Sequence, residues 1–329
     1  MTTAAPDMMR AILQDSYGNA DTWRVGEIAV PKIADKEVLV KIAAAGLDRG
    51  TWHLMTGLPY LGRVAFGIRK PKNPVPGRDL AGTVVAVGSS VTRFAAGDAV
   101  FGIGGGSFSE FAVAREDKLA RTPANLTSEQ AAVVPISGLT AIHALRGSGR
   151  LQKGQSVLIV GASGGVGSYA VQLAKAFGAI VTGVCSTAKI DLVRTLGADR
   201  VIDYTQDDFA DGTQLYDLVL DIGGSSTLSR LRRVVTPKGT LVIVGGEEGG
   251  KLAGMGRQVR ALMLSPFVSQ RLTMLVPKEN HSDLERLTEF IEVGAVTPSI
   301  DRVYSLEQAA DAMRQLVAGE VQGKLAITI

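Results

Sequence analysis

Residues 156–167 read SVLIVGASGGVG, and this stretch decides the fold. Val157 to Val160 form an apolar run that stops at Gly161, and Gly164, Gly165 and Gly167 follow at once. Residues 169–177 then alternate apolar and polar side chains at helical spacing. The pattern is a buried strand, a tight glycine turn and a helix start. Such a turn presents bare backbone N–H groups and the positive end of a helix to a phosphate. The glycine spacing is G-x-x-G-x-x-G over Gly161, Gly164 and Gly167, not the strict G-x-G-x-x-G. Taken alone, it also fits an ordinary strand-to-helix turn.

The residues downstream favour the nucleotide. Strand patterns are expected at 180–185, 200–203, 218–221 and 240–244, with a helix through 189–196. Strands alternating with helices predict a parallel, doubly wound sheet whose ligand lies beyond the carboxyl ends of the strands. At the end of the second strand, a carboxylate would hold the ribose hydroxyls of NAD. This chain has Cys185-Ser186-Thr187-Ala188-Lys189 there, with no acid before Asp191. A hydroxyl at Ser186 and a cation at Lys189 suit a 2′-phosphate, and Tyr204 would stack on adenine or reach the phosphate. NADPH is therefore expected over NADH. Ser163, Gly164, Gly165, Val166 and Gly167 would take the pyrophosphate.

The rest of the chain frames this core. Its 329 residues allow two domains, and 46% hydrophobic residues with 39 glycines allow a substantial core with many turns. Thirty-five basic against 32 acidic residues leave a charge of +3, too balanced for a nucleic-acid partner or an anionic membrane. One cysteine, Cys185, excludes an internal disulfide and any cysteine-rich metal site. His53, His143 and His281 stand far apart, which argues against a histidine metal site. Residues 156–174 carry no charge, but their strand-turn-helix punctuation fits a cofactor-binding unit better than a membrane span. No secretory pattern opens the chain, so a soluble cytoplasmic protein is expected.

Residues 1–120 have short β-rich runs at 37–43, 82–87, 99–101 and 109–114, separated by Gly, Pro and Asp. They predict a twisted, largely antiparallel barrel-like domain. Helices are expected at 126–129 with Thr127 as cap, at 138–145, at 257–264, at 281–293 with Ser282 as cap, and at 305–319. A glycine-rich irregular stretch spans 245–256, a sixth strand 271–276, and a last strand 324–329. The expected division is 1–126 with 271–329 as the barrel-like domain, and 127–270 as the nucleotide domain.

Several motifs occur in order along nearly the whole chain. They are PGRDLAG at 76–82, Gly97-Asp98-Ala99-Val100, Gly138-Leu139-Thr140-Ala141, the 162–167 turn, Leu196-Gly197-Ala198-Asp199 and the terminal Gly323-Lys324-Leu325. Together they resemble a zinc-independent medium-chain dehydrogenase/reductase of the quinone oxidoreductase type. The resemblance implies an α/β fold with a GroES-like β-barrel domain and an inserted Rossmann doubly wound parallel sheet. Zinc-dependent relatives carry a cysteine after the third barrel strand and a Gly-His-Glu further on. Here those places hold Gly46-Leu47-Asp48 and Gly77-Arg78-Asp79, so no metal is expected.

The resemblance further implies hydride delivery from NADPH to quinones or α,β-unsaturated carbonyls. Thr140, Gly223, Val244, Gly245 and Lys324 match the positions near the nicotinamide end. Asp48 falls where many quinone reductases have Asn, Trp52 keeps the family's aromatic, and Tyr60 matches a pocket tyrosine. These three are the candidate catalytic or substrate residues. The alternative for Asp48 is a salt bridge to Arg49 or Arg78, and for Trp52 and Tyr60 plain packing. Residues 61–74 are long and basic enough for a lid, and with 257–271 they make a membrane-surface contact conceivable. A homodimer through the 271–276 edge strand is expected. The competing readings are a carbonyl reductase or alcohol dehydrogenase of the same fold, and a non-catalytic NADPH sensor.

Overall fold

The computed structural model describes residues 6–245 and 256–329. The contacts divide the chain into two units. The first comprises residues 1–136, 279–292 and 298–329, and the second residues 137–278 and 293–297. The expected borders lay at 126/127 and 270/271.

In chain order the first unit has β1 (Met8–Leu13), β2 (Arg24–Ala29), β3 (Glu37–Leu47), β4 (Asp79–Val87), β5 (Ala99–Ile103), β6 (Phe111–Arg115) and β7 (Leu119–Arg121). The second has β8 (Ser156–Val160), β9 (Ile180–Cys185), β10 (Arg200–Asp203), β11 (Tyr216–Asp221), β12 (Val235–Ile243) and β13 (Arg271–Met274). The chain then supplies β14 (Ile300–Ser305) and β15 (Lys324–Thr328) to the first unit.

The second unit is a six-stranded sheet in the order β10-β9-β8-β11-β12-β13, and every pairing is parallel. The order reverses between β8 and β11, the switch point where doubly wound sheets bind ligands. Val157, Leu158 and Ile159 are fully buried, as a parallel sheet covered on both faces requires. Burying each such side chain contributes roughly 1.5–3 kcal/mol. The helix Gly165–Ala176 is buried on most of its faces, beyond the single stripe that its spacing predicts. Its Gln172 is buried, and its amide donates to Ser168 O and Thr297 O (both 3.0 Å) while accepting from Thr297 N (2.8 Å). These bonds offset the desolvation of a polar group in that position.

In the first unit, β3 is the hub: it pairs antiparallel with β4, β6 and β15. Helix caps follow the sequence in part. Thr127 with Gln130, and Ser305 with Gln308, close capping boxes. For the helix His281–Glu292, however, the cap is Asn280, whose Oδ1 accepts from Asp283 N (2.9 Å), and not Ser282. The expected 138–145 helix runs as Pro135–Ile142, with proline at its start where the missing N–H is harmless, and continues as a π-helical segment to Ser148. Of the glycine-rich stretch expected at 245–256, residues 246–255 lie outside the described residues.

Candidate functional site

The phosphate turn follows β8. Gly161 adopts φ +89°, and a Cβ there would stand 2.9 Å from Gly223 N, so the turn needs glycine on both counts. Its neighbours are fixed by backbone bonds. Gly161 N and Ala162 N donate to Val184 O, and Ile222 N and Gly223 N donate to Val160 O. A Cβ on Gly167 would stand 2.1 Å from Gly161 O, so glycine lets the helix approach the strand end. Gly164 is different. It caps the helix Gly165–Ala176 with φ −82° and ψ 177°, which any residue can adopt, and no side chain caps the helix. A Cβ at Gly164 would meet only Gly161 O, at 3.6 Å. The chain's own packing does not require a bare backbone there, whereas a phosphate seated on the helix N-terminus does. Gly164, Gly165 and Val166 are partly exposed, and Ser163 and Gly167 are buried.

At the end of β9, Cys185 is buried, and burial first, then the Asp203 carboxylate, pushes its thiol up to about 11. Ser186 and Lys189 are partly exposed on a 3₁₀ turn closed by Lys189 N donating to Ser186 O (2.9 Å). Tyr204 is 57% exposed, and its N–H donates to Cys185 O (3.0 Å), which ties it to this strand end. Ser186, Lys189 and Tyr204 therefore gather at neighbouring strand ends. Two charged residues that the sequence reading passed over join them. Arg194 lies within electrostatic reach of Cys185. Asp203, paired in register with Cys185, brings a carboxylate from the neighbouring strand. Its oxygens accept from the Thr187 hydroxyl (2.5 Å) and from Thr205 N and Oγ1 (2.9 and 2.8 Å). The Thr187 bond, ahead of those from Thr205, holds its carboxyl below the usual range. The signal was legible in the parallel order of the two strands, not in the local sequence.

Beyond β11, Asp221 is fully buried and pairs with the Arg257 guanidinium, which also donates to Gly224 O. Gly224 N donates to Asp221 Oδ1 (3.3 Å). Asp221 thus shapes the turn that leaves Gly223 exposed. After β12, Val244 N and Gly245 N donate to Asp221 O (3.0 Å each), and a Cβ on Gly245 would stand 2.3 Å from Ile222 O. Thr140 is partly exposed on the helix Pro135–Ile142.

The first unit holds the other candidates. Asp48 caps the helix Arg49–Thr56, its Oδ1 accepting from Thr51 N (2.8 Å) and Thr51 Oγ1 (3.2 Å). Arg78, one of the partners weighed for it, pairs instead with Glu279 (2.7 Å). Lys324 is buried, with Nζ 3.6 Å from Oδ2 of the fully buried Asp79. Asp79 was missed as a candidate, because PGRDLAG reads only as a family motif that lacks the zinc ligands of relatives. Trp52 lies on the helix that Asp48 caps, with its backbone N–H donating to Asp48 O (3.4 Å). It packs on the core of the first unit and lines a cavity of about 610 Å³ with Ala20, Met55, Leu58 and Val317. Tyr60 is 45% exposed, with the Arg63 guanidinium 4.7 Å from its ring centre. The expected lid at 61–74 contains the short helix Arg63–Phe66 and exposes Leu61, Val64 and Ile68. Among the described residues no helix is long and apolar enough to cross a membrane.

The chain matches two family models, the alcohol dehydrogenase GroES-like domain over residues 34–124 and the zinc-binding dehydrogenase domain over 196–327. The second description implies zinc, which these residues do not fit. Gly46-Leu47-Asp48 and Gly77-Arg78-Asp79 lack thiolate and imidazole, and the described residues contain no cluster of three or more His, Cys, Asp or Glu side chains suited to a metal ion. The chain is 33% identical to the chloroplast envelope quinone oxidoreductase homolog of Arabidopsis thaliana, over 98% of this chain and 99% of that one. It is also 33% identical to an Arabidopsis thaliana chloroplastic NADPH-dependent alkenal/one oxidoreductase, over 98% of this chain and 80% of the relative. The solved quinone oxidoreductase of Coxiella burnetii superposes with a TM-score of 0.87 at 26% identity, covering 98% of this chain and 99% of that one. With both domain types matched and relatives aligned from end to end, the chain belongs to the medium-chain dehydrogenase/reductase family, in its quinone oxidoreductase branch.

Proposed function

We propose that this chain is an NADPH-dependent oxidoreductase that delivers hydride to quinones or α,β-unsaturated carbonyls. The observation that carries the cofactor is Gly164, bare and open at an uncapped helix N-terminus beside the switch point of the sheet. The substrate class rests on the relatives named for quinones and for alkenals or enones. NADPH supplies the hydride and its electron pair. The residues do the rest. Ser163 to Gly167 bind the pyrophosphate, while Ser186, Lys189 and Tyr204, with Arg194 beside them, hold the 2′-phosphate. Thr140, Gly223, Val244 and Gly245 orient the nicotinamide end. Asp48 is the acid–base group for the substrate oxygen, and Tyr60 is its stacking or hydrogen-bonding partner. Trp52 positions the helix that Asp48 caps. Lys324 acts through Asp79.

The deciding experiment follows absorbance of the reduced nicotinamide with NADPH and NADH side by side, using a benzoquinone and a 2-alkenal, with and without chelator. Turnover that prefers NADPH and ignores chelator is expected. Lys189→Glu places an anion against the 2′-phosphate and should lower kcat/KM for NADPH about 10- to 100-fold, leaving NADH nearly unchanged. NADPH binding with no oxidation by either acceptor would instead favour the sensor.

The proposal extends to a cytoplasmic homodimer. β13 is the edge of the parallel sheet, and Met263, Phe267 and Val276 around it are 70%, 84% and 60% exposed. Light scattering should give twice the chain mass, and Met274→Pro, which removes an N–H that faces away from β12 because Leu275 N donates to Ile243 O, should give the monomer.

A further inference from the structure

Three buried side chains of the first unit carry more polar atoms than partners. Asp48 follows the last residue of β3, Asp79 opens β4 and Lys324 opens β15. The register pairs Gly46 with Asp79 and Leu47 with Leu325, so three strand ends deliver the three groups to one place. They are 7%, 0% and 2% exposed. One oxygen of each carboxyl is taken: Asp48 Oδ1 by Thr51, and Asp79 Oδ1 by Ile136 N (2.9 Å). Asp48 Oδ2, Asp79 Oδ2 and Lys324 Nζ have no hydrogen-bond partner, and Nζ stands 3.6 Å from Asp79 Oδ2.

Charge explains the arrangement. Two carboxylates against one ammonium would bury a net negative charge, which a low-dielectric interior resists, so a proton stays on the set. The groups acting on Asp79 are few. Burial has the largest effect and raises it, Lys324 from β15 lowers it and Asp48 from β3 raises it. The Ile136 N–H and Arg78 lower it further, although Arg78 is turned toward Glu279. The outcome pushes the Asp79 carboxyl up to about 7.

We propose that Asp48, Asp79 and Lys324 form a proton-holding set that supplies, through Asp48, the proton taken up by the substrate oxygen. The delivery step rests on the reductase reading above. Hydride addition to the substrate moves an electron pair onto its oxygen. The Asp79 O–H bond breaks and its proton goes to Lys324 Nζ, as Nζ gives one to Asp48 and Asp48 passes it on when the substrate O–H forms; water then re-protonates Asp79. Asp48 is the group that touches substrate, whereas Asp79 and Lys324 are positioning residues.

The test is a pH titration of the full chain by difference infrared spectroscopy, without nucleotide, from about pH 5 to about pH 9. A protonated-carboxyl C=O band should vanish with a midpoint near 7 and be absent in Asp79→Asn, which keeps an acceptor for Ile136 N. Asp48→Asn retains a good helix cap and should move the midpoint down, while Lys324→Met should move it up. Lys324→Arg, which keeps the charge, should hold it if the methionine variant fails to fold. In turnover, Asp79→Asn should lower kcat about 100-fold with KM little changed, and should flatten the fall of kcat as pH rises. Absence of the band overturns the proton-holding set. A band present while Asp79→Asn keeps the wild-type rate and pH profile overturns delivery. A chain that keeps the band but reduces no acceptor removes the reductase reading and the delivery step with it.

Discussion

Gly164→Asp is expected to leave the protein at least as stable as the wild type while weakening NADPH binding about 100-fold, or about 2.7 kcal/mol. The two effects part because they arise on different sides of the same atom. Position 164 already has extended backbone geometry, and its Cβ has room. Aspartate is also a better helix cap than glycine by a few tenths of a kcal/mol. Toward the cofactor, the same carboxylate would fill the cradle and stand against the pyrophosphate as a like charge, which costs about 1–4 kcal/mol at contact distance. Gly167→Ala is the control with the opposite signature. Its Cβ would stand 2.1 Å from Gly161 O, so it should cost about 1–3 kcal/mol of stability through overpacking. Thermal unfolding with fluorescence titration of NADPH reads both. Unchanged NADPH affinity in Gly164→Asp would remove the phosphate from this turn.

Arg257→Leu should destabilise the second unit by about 3–5 kcal/mol. Asp221 is fully buried, and Arg257 provides its guanidinium while also tying down Gly224 O. Removing the cation leaves a carboxylate in a low-dielectric site, at a far greater cost than losing a surface pair such as Arg194–Asp191. Asp221→Asn with Arg257→Leu should recover part of the loss, since the amide carries no charge to strand. Urea unfolding of the single and double variants measures this. Additive losses would mean that the two side chains stabilise the fold independently.

Much of the fold was legible because its signals are local. The third strand of the parallel sheet was read at 200–203, where β10 stands, and Thr127 and Ser305 cap as the spacing indicates. What escaped depends on partners distant in sequence. β1 and β2 pair with each other and went unread, because Arg10 and Gly26 break their apolar pattern. Asp203 reaches the Ser186 turn only through strand order, and Asp79 joins Lys324 only because β3 lies between their strands. Asn280 displaced Ser282 as a cap because both are competent and only two residues apart, a choice that side-chain spacing does not fix. Of the candidate site, the phosphate turn was legible as a contiguous motif. The buried acid–base set was visible only as Asp48 and Lys324 taken one at a time.

The pairing of β15 with β3 has a consequence for how the molecule is made. The hub strand of the first unit emerges early from the ribosome, yet one of its neighbours is not synthesised until residues 324–328. The second unit, drawn almost entirely from 137–278, has its six strands available well before that. Long-range pairings form late because closing the intervening loop costs entropy before contacts compensate. During translation the nucleotide half is therefore expected to fold first, while the barrel half waits with one edge of its hub open and one member of its buried charge set still to come. A nascent chain stalled before residue 324 would be a target for chaperones or proteases, and it would hold two buried-site aspartates with no lysine to balance them.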